Sequence, residues 1–115
     1  MNKTILVGNL CAAPELRYTA GGDAVCDLRI ATNEKWTSKS GEKKEETMFI
    51  KGTLWGKAAE NAAQYLHKGS KVAVDGKLKL ETWEDKDSGA KRSKHTLSIR
   101  DIEYLTPKGA DAEGD

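Results

Sequence analysis

Along Thr47–Lys57 the residues sort into two sets when read with a period of two, because successive side chains of an extended strand point to opposite sides. Met48, Ile50 and Leu54, with the small Gly52 among them, make an apolar face, while Phe49, Lys51, Thr53 and Trp55 make the other. Two large rings and a cation facing solvent are unfavourable unless something planar and negatively charged binds there, so the chemistry open to them is stacking and charge neutralisation. Trp83 repeats the pattern, sharing its parity with Lys71, Lys77 and Lys79. Catalysis has less to stand on. His67 lies at the end of a helical pattern and His95 beside a loop, neither in a nucleophile, metal or phosphate-loop motif, and the carboxylates are scattered through charged tips. Cys11 and Cys26 have no histidines near them and read as reduced, small core residues, so neither a disulfide, a metal nor a cofactor is expected. The pattern is that of a binding protein rather than an enzyme.

Strands must hold these side chains. Lys3–Leu10 is rich in β-branched residues, with a bend at Gly8. Between Pro14 and Gly21-Gly22-Asp23, the segment Glu15–Thr19 either continues that strand or forms an irregular turn. From Ala24 a second strand alternates Cys26, Leu28 and Ile30 against Asp27, Arg29 and Ala31, then runs on to Trp36 as charge replaces the core pattern. Parity groups Trp36 with Ile30, but that implies no burial if the strand has left the core or carries a bulge. The polar tip Ser38–Glu45 joins it to the third strand, making a hairpin that projects as a mobile arm.

The period then changes to 3.6. Lys57–His67 reads as a short helix with Ala58, Ala62, Tyr65 and Leu66 on one face, closed by Gly69 as a left-handed cap. A fourth strand puts Val72, Val74, Leu78 and Leu80 inward, with Gly76 interrupting. After a second charged tip, Glu84–Lys94, the fifth strand alternates Leu97 and Ile99 with Ser98 and Arg100, and Ile102, Tyr104 and Leu105 finish the sheet. Five strands with one short helix between the third and fourth is the order of an OB-fold, an all-β five-stranded Greek-key barrel whose open face binds oligonucleotides or oligosaccharides.

A chain of 115 residues is long enough for one modest core, read here as a domain over residues 1–107 and a short acidic, disordered tail over residues 108–115. The formal net charge of +1 hides an asymmetry, since residues 1–108 hold 19 basic and 15 acidic groups, or +4. A mildly basic body with an acidic tail fits a nucleic-acid partner. No apolar run approaches membrane-spanning length and no signal-peptide core follows Met1, so a cytosolic protein without a membrane partner is expected.

Four stretches carry a resemblance: Asn2-Lys3-Thr4-Ile5-Leu6-Val7-Gly8-Asn9-Leu10, Pro14-Glu15-Leu16-Arg17-Tyr18, Leu54-Trp55-Gly56-Lys57-Ala58-Ala59-Glu60 and Tyr65-Leu66-His67-Lys68-Gly69-Ser70. In order and spacing, over essentially residues 1–106, the sequence resembles the bacterial-type single-stranded DNA-binding proteins. The resemblance implies sequence-independent binding and protection of single-stranded DNA in replication, recombination and repair. It also implies a homotetramer, with Ile5 and Val7 at a subunit boundary. Trp36 and Trp83 match base-stacking tryptophans of the family, Trp55 stands where the family commonly has phenylalanine, and Phe49 where it often has tryptophan. Cellular members end in a long Gly/Gln/Pro-rich linker and an acidic tip with a hydrophobic end. This chain ends at Gly114-Asp115 without them, which puts tail-mediated recruitment of replication and repair enzymes in doubt; it looks more like a member encoded by a phage or mobile element, although a shortened form of a longer chain would end the same way.

Stacking is worth about 1–3 kcal/mol per base in grooves of this kind, the family itself being among the proteins that establish the range, and it carries no sequence preference because every base has a π-face. Phosphate contacts add a counterion term, with log K falling by roughly 0.7 per log unit of salt for each phosphate neutralised on a single strand. Lys35, Lys43, Lys51, Lys57, Lys71, Lys77, Lys79 and Arg92 are the candidate phosphate contacts, although an isolated lysine reads as readily as a solvated charge. Each ring also has a reading as core, weightier for Trp55 and Trp36, which lie beside apolar segments, than for Phe49 and Trp83. Tyr65 and Tyr104 read as packing residues and Tyr18 as either. An OB-fold adaptor that binds protein, or one that prefers RNA, stays open at this level.

Overall fold

The alternating runs form strands and the 3.6-periodic run a helix in the computed structural model, which describes residues 1–106. In chain order the elements are β1 (Thr4–Leu10), β2 (Glu15–Tyr18), β3 (Ala24–Thr37), β4 (Lys43–Trp55), α1 (Gly56–Tyr65), β5 (Lys71–Glu84) and β6 (Lys91–Tyr104). The expected boundary at residue 107 and the acidic tail read over residues 108–115 lie outside the described residues. Glu15–Tyr18, left open between strand and turn, is a short strand of its own that pairs with β3, from Glu15↔Asp27 to Tyr18↔Ala24. The other five strands close on themselves in the order β1-β5-β6-β4-β3, and β3 returns to β1 through Asn9↔Ala31 and Leu10↔Ile30. The β4–β6 pairing is parallel and the others are antiparallel. This is the OB barrel, with its helix between the third and fourth barrel strands.

Closure depends on one corner. β1 pairs with β5 along Thr4–Asn9 and with β3 at Asn9 and Leu10, and Gly8 sits where the two ladders converge. A Cβ there would collide with the Ala31 carbonyl and lie 2.9 Å from Ile30 Cγ2, so a side chain would force β3 away.

The core contains Leu10, Cys26, Leu28, Ile30, Ile50, Leu54, Val72, Val74, Leu97 and Ile99. Burying a Leu, Ile or Val side chain fully is worth about 1.5–3 kcal/mol. The helix packs on β2, β3 and β4 and adds Ala59, Ala62 and Leu66, with Ala63 beside them. That is an i, i+3, i+4, i+7 stripe. It corrects the expected face, because Ala58 and Tyr65 are exposed. The helix also ends at Tyr65 rather than His67, and its C-cap is Leu66 in an extended conformation. Gly69, with φ +95°, therefore serves the turn that follows, where its N–H donates to the Leu10 carbonyl at 2.8 Å and Ser70 N–H donates to the His67 carbonyl at 3.0 Å.

Other expectations need correction. Cys26 is fully buried, and burial, followed by nearby Asp27 and Glu15, pushes its thiol up to about 11. Cys11, also read as core, is exposed just beyond β1, its N–H bonded to the Arg29 carbonyl. Met48 and Leu80 have core parity, yet they are 44% and 58% exposed. The reason is length: the β3–β4 ladder continues to Thr37↔Lys43 and the β5–β6 ladder to Glu84↔Lys91, far past the β4–β6 join at Lys51–Thr53. Those outer halves are two-stranded arms with no opposing layer among the described residues, so an inward parity no longer means burial. Tyr104, read as packing, is 39% exposed at the other end of β6.

Candidate nucleic-acid interface

Cross-strand partners in a sheet share a face. On β4 the outward residues are Phe49, Lys51, Thr53 and Trp55, in register with Ala31, Arg29, Asp27 and Val25 of β3. Between β5 and β6 the corresponding rows are Lys77↔Ser98, Lys79↔Thr96, Glu81↔Lys94 and Trp83↔Arg92. The parallel join pairs Lys51 with Thr96 and so makes the two rows one outer surface. Phe49, Trp55 and Trp83 therefore stand on one face, 68%, 54% and 46% exposed, and the alternative that Trp55 is a core residue is removed. Lys51, Lys77, Lys79 and Arg92 accompany them. Lys57 is exposed on the first turn of α1, immediately after Trp55. At the Trp55 end, Asp27 accepts from Thr53 Oγ1 at 3.2 Å and pairs with Arg17 at 3.2 Å, so that carboxylate is already occupied.

Trp36 is placed differently. It is half exposed, which removes its core reading too, but its register partner is Lys44, and the β3–β4 register runs on from Ile30↔Ile50 without a shift. By the pleat it leaves the arm on the side opposite Phe49. Lys35 and Lys43 share Phe49's parity, and the arm's end forms an open cleft of about 480 Å³ lined by Lys35, Trp36, Thr37, Lys43, Lys44 and Glu45. A strand touching both Trp36 and Phe49 has to cross the edge of the arm. Lys71 is not brought to this surface: it stands beside Asn9 at the far end of β5, roughly 26 Å from Lys79 along an extended strand. Ile5 and Val7, the expected boundary residues, are exposed on β1 in register with Asp75 and Ala73. Lys3 pairs with Asp75 there at 3.4 Å.

Several of the candidate cations are already engaged. Lys35 Nζ lies 3.6 Å from Glu45, Lys51 Nζ 3.7 Å from Glu81, and Arg92 Nε 3.4 Å from Asp85. Lys94 Nζ sits 5.7 Å from the centre of the Trp83 ring, a cation–π contact. Lys94 and Arg29 are outer-face cations that sequence reasoning did not select. The β3 alternation had already placed Arg29 outward, whereas Lys94 sits within a charged tip whose register only the β5–β6 pairing reveals. Among the described residues no group of His, Cys, Asp or Glu could hold a metal ion, and no helix is long and apolar enough to cross a membrane.

Residues 1–105 match the model of the single-strand binding protein family. The chain belongs to that family. It is 45% identical over 113 residues to a single-stranded DNA-binding protein of Wolinella succinogenes, covering 98% of this chain and 69% of that one. It is 44% identical over 107 residues to one of Helicobacter hepaticus, covering 93% and 62%. Among solved structures, a deletion mutant of the single-stranded DNA binding protein from Thermus aquaticus superposes with a TM-score of 0.78 at 33% identity, over 95% of this chain and 52% of that one. An SSB of Plasmodium falciparum in complex with ssDNA superposes with a TM-score of 0.84 at 26% identity, over 91% and 95%. The chain thus spans about half to two thirds of the length of three of these four family members.

Proposed function

We propose that this protein binds single-stranded DNA without sequence preference and without catalysis, and protects it in the cytoplasm during replication, recombination and repair. The observation that carries this reading is the outer face on which three exposed rings, Phe49, Trp55 and Trp83, stand among Lys51, Lys77, Lys79 and Arg92. The rings stack on bases and the cations meet phosphates, an arrangement suited to a flexible single strand whose bases are free. Trp36 adds a fourth stacking ring where the strand rounds the first arm. Lys35, Lys43 and Lys57 extend the phosphate path, and Lys71 contributes least. All of this lies in one OB domain.

The test is a fluorescence titration with dT oligomers at two salt concentrations. Quenching of tryptophan reports stacking and the salt slope reports phosphate contact, while the same titration with duplex DNA and with RNA separates this reading from an RNA-directed one. No quenching and no salt dependence would remove it. The protein is further proposed to assemble as a homotetramer, with Ile5 and Val7 at a boundary, because two large apolar side chains stand exposed side by side on β1. Sedimentation showing only monomer at micromolar concentration would overturn the assembly.

A further inference from the structure

One residue of the outer face works against an anionic ligand. Glu81 shares the parity of Lys79 and Trp83 on β5, has Lys94 as its register partner, and holds Lys51 Nζ at 3.7 Å across β6. Lys51 in turn is the outward neighbour of Phe49. Glu81 is likewise the outward neighbour of Trp83 on β5, so a single strand that stacks on both Phe49 and Trp83 comes close to the Lys51–Glu81 pair. The Lys51 side chain is only 28% exposed and that of Glu81 44%, against 77% and 56% for Lys35 and Glu45 at the end of the first arm. Salt and water screen the arm pair more strongly than the sheet pair.

We propose that Glu81 is an internal competitor for the DNA backbone: its carboxylate occupies Lys51 in the free protein, must release it when a phosphate arrives, and thereafter repels that phosphate. The inference rests on the single-stranded DNA reading above and specifies what limits affinity at that site. Its consequence is a surface with ample stacking area but one net cation fewer at its centre than its lysines suggest, so that bound DNA is readily displaced.

The experiment is the dT titration on Glu81→Gln, which keeps the side-chain shape and removes the charge. Tighter binding by about three- to tenfold at low salt is expected, the scale of one like-charge contact largely screened by water. The slope of log K against log salt should steepen by up to about 0.7, because no freed carboxylate then takes up a counter-cation as Lys51 turns to the phosphate. Lys51→Met should then weaken binding more in the Glu81→Gln background than in the wild type, because only there is Lys51 fully free for DNA. Glu103→Gln, which removes the same charge at the far end of β6, should do neither. Unchanged affinity and slope in Glu81→Gln, with wild-type quenching intact, would overturn the proposal while leaving the binding reading standing. Absence of quenching in the wild type would instead remove the binding reading and this inference with it.

Discussion

The barrel and its two arms are made from the same strands under the same alternation, yet they are held by different forces. Where β3, β4 and β6 close the barrel, the inward residues Leu28, Ile30, Leu54 and Leu97 are essentially inaccessible to solvent. A few residues further along the same strands the same parity yields Trp36 and Met48, and on β5 Leu80, all substantially exposed. Alternation therefore specifies a face, whereas burial needs a second layer to meet it. The arms have backbone ladders and exposed pairs such as Lys35–Glu45, each worth little. Such segments open locally at low free energy, which suits arms that wrap a flexible ligand around a rigid centre.

The widest expected separation is in stability. Leu97→Ala, in the barrel, should destabilise by about 2–5 kcal/mol, and Leu80→Ala, in the second arm, by less than about 0.5 kcal/mol, both read by urea unfolding. Equal losses would mean that the arm is packed against something and would break the comparison. The two cysteines divide the same way. With its folded-state pKa raised from 9.0 to about 11, Cys26 favours the folded state fully below pH 9, and that contribution is lost as pH rises through 11. Over that window the wild type should lose roughly 2–3 kcal/mol relative to Cys26→Ala. Cys11, being exposed, should react with a thiol reagent in the native protein, and Cys26 only after unfolding.

Binding should follow the opposite geography. Trp55→Ala and Phe49→Ala should each weaken dT binding by about 1–3 kcal/mol per lost stack, with the folded domain retained. Trp36→Ala is the sharper test, because the register turns that ring to the other side of the arm. A loss of similar size means the strand rounds the arm's edge; no loss confines the path to the outer face.

How much of this was legible in the sequence follows from the same contrast. The five barrel strands and the outward rings on β4 followed from alternation and the helix from a period of 3.6, since a period is a local property of the chain, whereas Glu15–Tyr18 is too short to show one. The inward set on β4 held for Ile50, Gly52 and Leu54 and failed at Met48, because where the barrel ends is set by β1 and β6, far away in sequence. The helical face was right at Ala62 and Leu66 and wrong at Ala58 and Tyr65, since the alanines of one short run differ little in hydrophobicity and only their packing on β3 and β4 tells them apart. At the site, Phe49, Trp55 and Trp83 could be listed from pattern and resemblance, but their sharing of one face depends on the parallel β4–β6 join. The Lys51–Glu81 pair was invisible for the same reason, the Lys35–Glu45 pair needed the β3–β4 register, and the Arg92–Asp85 pair needed the fold of the second tip.

The smallest expected effect separates two lysines that share parity on one strand. Lys79 is in register with Thr96, next to Lys51 on the outer face, whereas Lys71 pairs with Asn9 at the other end of β5, with its N–H bonded to Thr106 Oγ1. If phosphates follow the rings, Lys79→Met should lower the salt slope by about 0.7 and weaken binding uniformly across sequences. Lys71→Met should change neither, beyond the screened effect of one distant charge. Both substitutions remove the same charge from the same strand, so net charge cannot account for a difference between them. Equal slopes for the two variants would show that the protein's overall charge, not the outer face, governs phosphate binding, and would dissolve the distinction between a track and a merely basic surface.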